Sequence, residues 1–263
     1  MRLFFKLSQL AFQRQMSYRA AAIAGVLTNF FFGLLRAAIM IALYQNQIEV
    51  EGMDLSQAIT FTAIGQALIG YLSMFHWYEQ MQSVYTGEIA TDLLKPMGYF
   101  RYWLAKDFGR AIAALLTRGV TIFLAFELVF DLVYPESPLG WLNLVIAMLL
   151  AWLVSFCWRF LANLPSFWMT NARGVGIFVF MSAQALSGFI MPLRFFPEWF
   201  QKFANLTPFP HSVNTVVEVQ LGLLSGPQVW LAFANQLLWI IGMVVVIKLV
   251  LRAGVRKLVV VGG

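Results

Sequence analysis

The residues able to do chemistry are few and scattered. The chain has two histidines, His76 and His211, far apart in sequence, and one cysteine, Cys157. A metal site needs three or four convergent ligands, so a lone histidine reads as a structural residue, and no metal-binding residues are assigned. One cysteine gives neither an intrachain disulfide nor a cysteine metal cluster. The sequence holds no H-E-x-x-H and no G-x-S-x-G. The nearest spacing to a phosphate-binding loop, Gly65 to Gly70, is followed by Tyr71 and Leu72, where a lysine and a hydroxyl are required. No catalytic residue is therefore assigned. Two charges remain because they stand within apolar runs, Arg36 and Glu127. An arginine at that depth costs about 2.5–3.5 kcal/mol on insertion scales, so Arg36 faces protein or water. It either pairs with Glu127 or contacts an anionic substrate. Glu127 is either an intramembrane acid or an outer-leaflet residue reaching water.

The composition says what surrounds those residues. Of 263 residues, 60% are hydrophobic and only 11% charged, with a mean hydropathy of +0.75. Soluble domains carry about a quarter charged residues, so this is an integral membrane protein. The length accommodates about six spans of about 20 residues with short loops. The net charge is +6. The basic residues cluster at segment ends, which reads as orientation and contact with anionic lipid rather than with nucleic acid.

The expected fold is all-α. Residues 1–20 read as an amphipathic interfacial helix and not as a cleavable secretory signal. Arg2, Lys6, Gln9 and Gln13 share one face, and Leu3, Leu7, Leu10 and Ala11 another. Residues 21–252 read as a six-span domain, with spans near 21–43, 55–78, 111–133, 141–160, 174–191 and 229–249, and 253–263 as a tail. Ala63 and Ala67, one turn apart in the second span, suit close helix approach.

Two connectors carry more than linkage. The polar, basic loop 79–110 contains T-G-E-I-A-T-D-L-L-K-P. Gly87 interrupts the preceding helix, 88–94 makes about two turns, and Pro96 stops them. Ile89 and Leu93 form an apolar tip that needs a partner. The second connector, 188–222, is aromatic and punctuated by Pro192, Pro197, Pro208 and Pro210. Prolines forbid a continuous span there, and Phe196, Trp199, Phe200, Phe203 and Phe209 forbid an ordinary soluble loop. Two short helices at the membrane surface, one opening at Pro197 and one over 211–221, reconcile the two.

The order Ser187, Gly188, Pro192, Leu193, Phe196, Pro197, Trp199, then Asn205, Leu206, Pro208, Phe209, then Leu221 and Gly222, resembles the last third of ABC-2-type transporter permeases. G-E-I-x-x-x-L-L-x-P, starting at Gly87, is similar to that family's coupling-helix segment. The resemblance implies a type V exporter-like layout: an N-terminal connecting helix, six spans, and a re-entrant helical hairpin between the fifth and sixth. It implies that Gly87, Glu88, Ile89, Ala90, Asp92, Leu93 and Leu94 seat in a separate ATPase subunit, which binds the ATP and Mg2+. It also implies a second permease chain, identical or related, that completes the translocation path.

Charge placement agrees with that layout. The loops after the first and third spans have no lysine or arginine, whereas the amino terminus, the second loop, the turn near 163–174 and the tail hold most of them; the loop after the fifth span is the exception, with Arg194 and Lys202 offset by Glu198 and Glu218. The positive-inside rule then puts both termini in the cytoplasm of a plasma (inner) membrane protein and the hairpin outside. The alternative is an ATP-independent polytopic carrier or a membrane scaffold. A carrier predicts broken helices in both halves, and here the break comes only late.

Overall fold

The computed structural model describes residues 2–75 and 77–257, so His76 and the tail beyond Lys257 lie outside the described residues. Helices dominate. α1 (Arg2–Ser17) turns at Tyr18 into α2 (Arg19–Leu43). A two-stranded ribbon, β1 (Glu49–Val50) with β2 (Met53–Asp54), leads into α3 (Leu55–Leu72). Asp54 starts α3 with a reciprocal cap: its carboxylate accepts from the Gln57 backbone, and the Gln57 amide accepts from the Asp54 backbone. The short α4 (Glu79–Tyr85) and α5 (Ile89–Leu93) follow. Then α6 (Tyr99–Ala114) runs through a π-helical turn at Leu115–Gly119 into α7 (Val120–Glu127).

The second half opens with α8 (Pro138–Asn163), which begins with Pro138 in its first turn and the Ser137 hydroxyl accepting from the Gly140 backbone. α9 (Arg173–Leu186), α10 (Glu198–Asn205), α11 (Asn214–Gln220) and α12 (Pro227–Val255) complete the chain.

Five of these rods are long and apolar enough to cross a membrane: Arg19–Leu43, Leu55–Leu72, Tyr99–Glu127, Pro138–Phe167 and Pro227–Val255. The expected fifth span corresponds to α9, which has only 14 residues. At about 1.5 Å per residue it is shorter than the ~30 Å hydrocarbon core. Gly188, at φ +79°, ends the run that composition alone extended to Met191. The third rod begins at Tyr99, a dozen residues before the expected 111. Its basic residues had made the first three turns look like loop, but Lys106 pairs with Glu79 and lies against the Trp103 ring, Arg110 pairs with Asp107, and Arg101 points outward.

α3 and α8 form the centre. Their most apolar windows are 72% and 61% buried, against 17% for α2 and for α12, which show most of their surface outward. Close backbone approach sets two of the contacts. A Cβ on Gly119 would stand 2.9 Å from the Ala67 carbonyl oxygen, so the expected small-residue face of α3 is used there. A Cβ on Gly109 would stand 2.0 Å from the Ser8 carbonyl oxygen, which presses α1 flat along α6. α1 thus turns Ser8 inward, while Leu3 and Leu10 of its expected apolar face remain exposed.

Candidate functional site

The segment between α4 and α6 is built around one glycine and one carboxylate. Gly87 takes φ +77°, a conformation that side chains resist, and so separates α4 from α5. Asp92 then ties α5 down: its carboxylate accepts from the Ser83 hydroxyl at 3.1 Å and from Lys95 Nζ at 2.5 Å. Lys95 also lies over the Tyr102 ring at 3.7 Å. Burial works against its charge, yet its bonds to Asp92 and Tyr102 hold its pKa above the ordinary lysine value.

The apolar tip expected to face outward is turned in. Ile89 is 1% exposed and packs with Trp77, Tyr99 and Trp103, and Leu93 lies against the same cluster. The reason is local geometry. On a helix this short, positions 89 and 93 share the face that Asp92 and Ser83 clamp to α4. The outward surface is Glu88, Thr91 and Leu94, with Tyr85 and Thr86 beside them and Ala90 half-buried at the edge. Leu94 is 84% exposed.

Beneath α5 lies a buried ionic network absent from the sequence reading. The Asp107 carboxylate accepts from Arg159 Nη1 at 3.1 Å and Nη2 at 2.8 Å, from Arg110 Nε at 2.8 Å and from Trp152 Nε1 at 2.9 Å. Arg110 donates onward to the carbonyls of Gly70 and Tyr71 at the end of α3. Arg159 Nε donates to the Ser155 hydroxyl, which donates to the Leu72 carbonyl. Asn163 then bridges to α4: its Nδ2 donates to the Trp77 carbonyl, and its Oδ1 accepts from the Met81 backbone. The ends of α3, α4 and α8 are thereby joined to the middle of α6 in one base beneath α5. The only sequence signal was the Asp107, Arg110 spacing of three on a helix.

At the other connector the chain breaks as the prolines require. After Gly188, the Asn214 backbone donates to the Ser187 carbonyl, and the Leu193 backbone donates to Asn214 Oδ1. Pro192 precedes a 3-10 turn, Leu193–Phe195, and Pro197 precedes α10. The rings of Phe196 and Phe200 stack at 4.5 Å, while Trp199 points outward. Pro208 starts the next 3-10 turn, in which Phe209 packs on Trp158 at 5.7 Å. The second short helix begins at Asn214 rather than 211, because that turn occupies Phe209–His211. Burial lowers the His211 pKa to about 4.

The expected choice between Glu127 and an anionic substrate for Arg36 is replaced by a third outcome. Arg36 Nη1 donates to the Phe189 carbonyl at 2.9 Å, and its guanidinium lies 4.4 Å from the centre of the Phe189 ring. It secures the carbonyl freed where α9 ends. Glu127 is exposed and accepts from the Tyr134 hydroxyl at 2.7 Å. That bond adds to desolvation, the larger cause, in raising the Tyr134 pKa to about 12.

No curated protein and no solved structure matches the chain. A family model described as "ABC-2 family transporter protein" matches residues 27–262, which takes in most of the first long rod, the other four, the α4–α5 segment and the broken connector. With most of its length inside that match, the chain belongs to the ABC-2 transporter family as a multi-pass membrane permease.

Proposed function

We propose that the chain is the membrane subunit of an ATP-driven exporter. Two such chains, identical or related, enclose the path, and separate ATPase subunits bind ATP and Mg2+. The observation that carries this reading is the exposed Glu88, Thr91, Leu94 face of α5, seated on a buried network that links α3, α4, α6 and α8. Movement imposed on α5 by an ATPase would travel through Asp92 and Ser83 to α4, and through Asn163 to α8. In this arrangement α9 is the fifth of six crossings. Its shortfall in length is made up by α10 and α11, which form a re-entrant hairpin on the outer side. Both termini and α5 lie on the cytoplasmic side of the plasma membrane, an orientation that the distribution of basic residues supports. The exposed rings of Trp199 and Phe203 on the hairpin anchor in lipid headgroups.

The test separates the two faces of α5. Leu94→Glu should leave expression, size-exclusion profile and thermal stability unchanged, while co-purification of the ATPase subunit from the native host and vanadate-sensitive ATP hydrolysis fall at least tenfold. Ile89→Glu should instead lower stability, because it buries a carboxylate among Trp77, Tyr99 and Trp103. If Leu94→Glu keeps full ATPase association and transport, α5 is not the coupling contact. A wild-type chain that purifies alone from several detergents would favour the carrier or scaffold reading.

A further inference from the structure

At the elbow between α1 and α2 a cavity of about 350 Å³ is lined by Gln15, Asn29, Ser73, Met74, Arg110 and Arg118. Its two arginines differ in one respect. Arg110 shares the Asp107 carboxylate with Arg159, at 2.8 Å, and donates to the Gly70 and Tyr71 carbonyls. Arg118 has no carboxylate within ion-pairing distance among the described residues, and its Nε is buried with no acceptor. Its one hydrogen bond runs from Nη2 to the Ala21 carbonyl at 2.9 Å. The fold makes room for it even so. A Cβ at Gly25 would stand 2.9 Å from the Arg118 Cζ, so Gly25 leaves open the space where the guanidinium crosses α2.

Arg36 also lacks a carboxylate but is satisfied by the Phe189 carbonyl and ring, whereas Arg118, half-buried in a membrane rod, keeps a donor without an acceptor, which marks a place where negative charge can be brought in from outside the chain. Basic pockets between membrane helices suit lipid head groups, and guanidinium groups suit oxyanions through paired N–H donors. The remaining lining is divided. Gln15 and Asn29 supply amide donors beside Arg118, whereas Ile69, Met74 and Ala114 supply an apolar wall. That division matches a ligand with a charged head and an apolar tail. We propose that this cavity seats the oxyanion head group of an amphiphile, with Arg118 as its charge partner. The proposal needs only the multi-pass membrane placement. It stands whether or not α5 binds an ATPase.

The test uses the full-length chain purified in a neutral detergent and titrated calorimetrically with three probes: dihexanoyl phosphatidate, dihexanoyl phosphatidylcholine and inorganic phosphate. Saturable binding of the phosphatidate is expected, at least tenfold tighter than that of either other probe. Arg118→Gln should weaken it at least tenfold and Arg118→Lys less. Arg101→Gln, which removes the same charge from an exposed position, should leave it unchanged. Should Arg118→Gln fail by size exclusion, Asn29→Leu removes an amide donor from the cavity and is expected to weaken binding about threefold. No saturable phosphatidate binding by the wild type, or equal losses in Arg118→Gln and Arg101→Gln, would overturn the site. Phosphate binding as tight as that of phosphatidate would assign the cavity to a soluble oxyanion and overturn the amphiphile.

Discussion

Asp107 accepts four hydrogen bonds on two oxygens and is wholly enclosed together with Arg159. Such a group is held by its partners or not at all. Asparagine in its place keeps one acceptor oxygen and leaves Arg159 without a counter-charge, and breaking a buried pair from one side costs about 3–5 kcal/mol. Asp107→Asn should therefore lower the unfolding temperature in detergent clearly, and the double variant Asp107→Leu, Arg159→Met should recover much of the loss. A single variant as stable as wild type would show that the network is not what binds these helix ends. This residue was not legible in the sequence. It stands between Lys106 and Arg110 in a stretch whose charge density reads as loop, and its main partner is more than fifty residues away. Arg36 was legible as a charge needing company, but its partner is a backbone carbonyl, which leaves no trace in residue types.

At the scale of elements, apolar runs located the long rods because burial and lipid exposure demand the same side chains. The ends were harder to read, since charge pairing extended α6 toward the amino terminus and one positive-φ glycine shortened α9. α1 shows what amphipathic patterning leaves out. Its patterning suggested a helix lying free in the interface, whereas Gly109 lets it press backbone to backbone on α6. Gly109→Leu cannot be accommodated at that distance and should free α1. Limited proteolysis of the purified variant should then cut within 2–17 while the rest of the chain stays intact. Unchanged protection would mean that α1 is held elsewhere. The hairpin offers a pH test. His211 is held neutral in the fold, with a pKa near 4 against 6.5 when exposed. Stability is unaffected above about pH 6.5 and falls as pH drops toward 4, because only the unfolded chain takes up the proton. The loss is on the order of 3 kcal/mol. His211→Asn should flatten that part of the stability profile measured by thermal unfolding between pH 7 and 4.

At the scale of the whole molecule, α5 and α10 place exposed apolar side chains on different connectors, Leu94 at 84% and Trp199 at 69%. The exporter reading requires them on opposite faces of the membrane. The ATPase seat must meet cytoplasmic nucleotide, and the aromatic hairpin must meet the outer headgroups. The lone cysteine makes the question simple to ask, since Cys157 is buried and Cys157→Ala gives a thiol-free background. In that background, single Leu94→Cys and Trp199→Cys variants are treated in intact cells with a membrane-impermeant maleimide. Trp199→Cys should label at once. Leu94→Cys should label only after the membrane is opened, because on the exporter reading two crossings, α2 and α3, separate α5 from a cytoplasmic amino terminus. Labelling of Leu94→Cys in intact cells, with Trp199→Cys protected, would invert the chain. It would put the α5 face out of reach of any cytoplasmic ATPase, and the coupling role would fall even with the fold and the buried network intact.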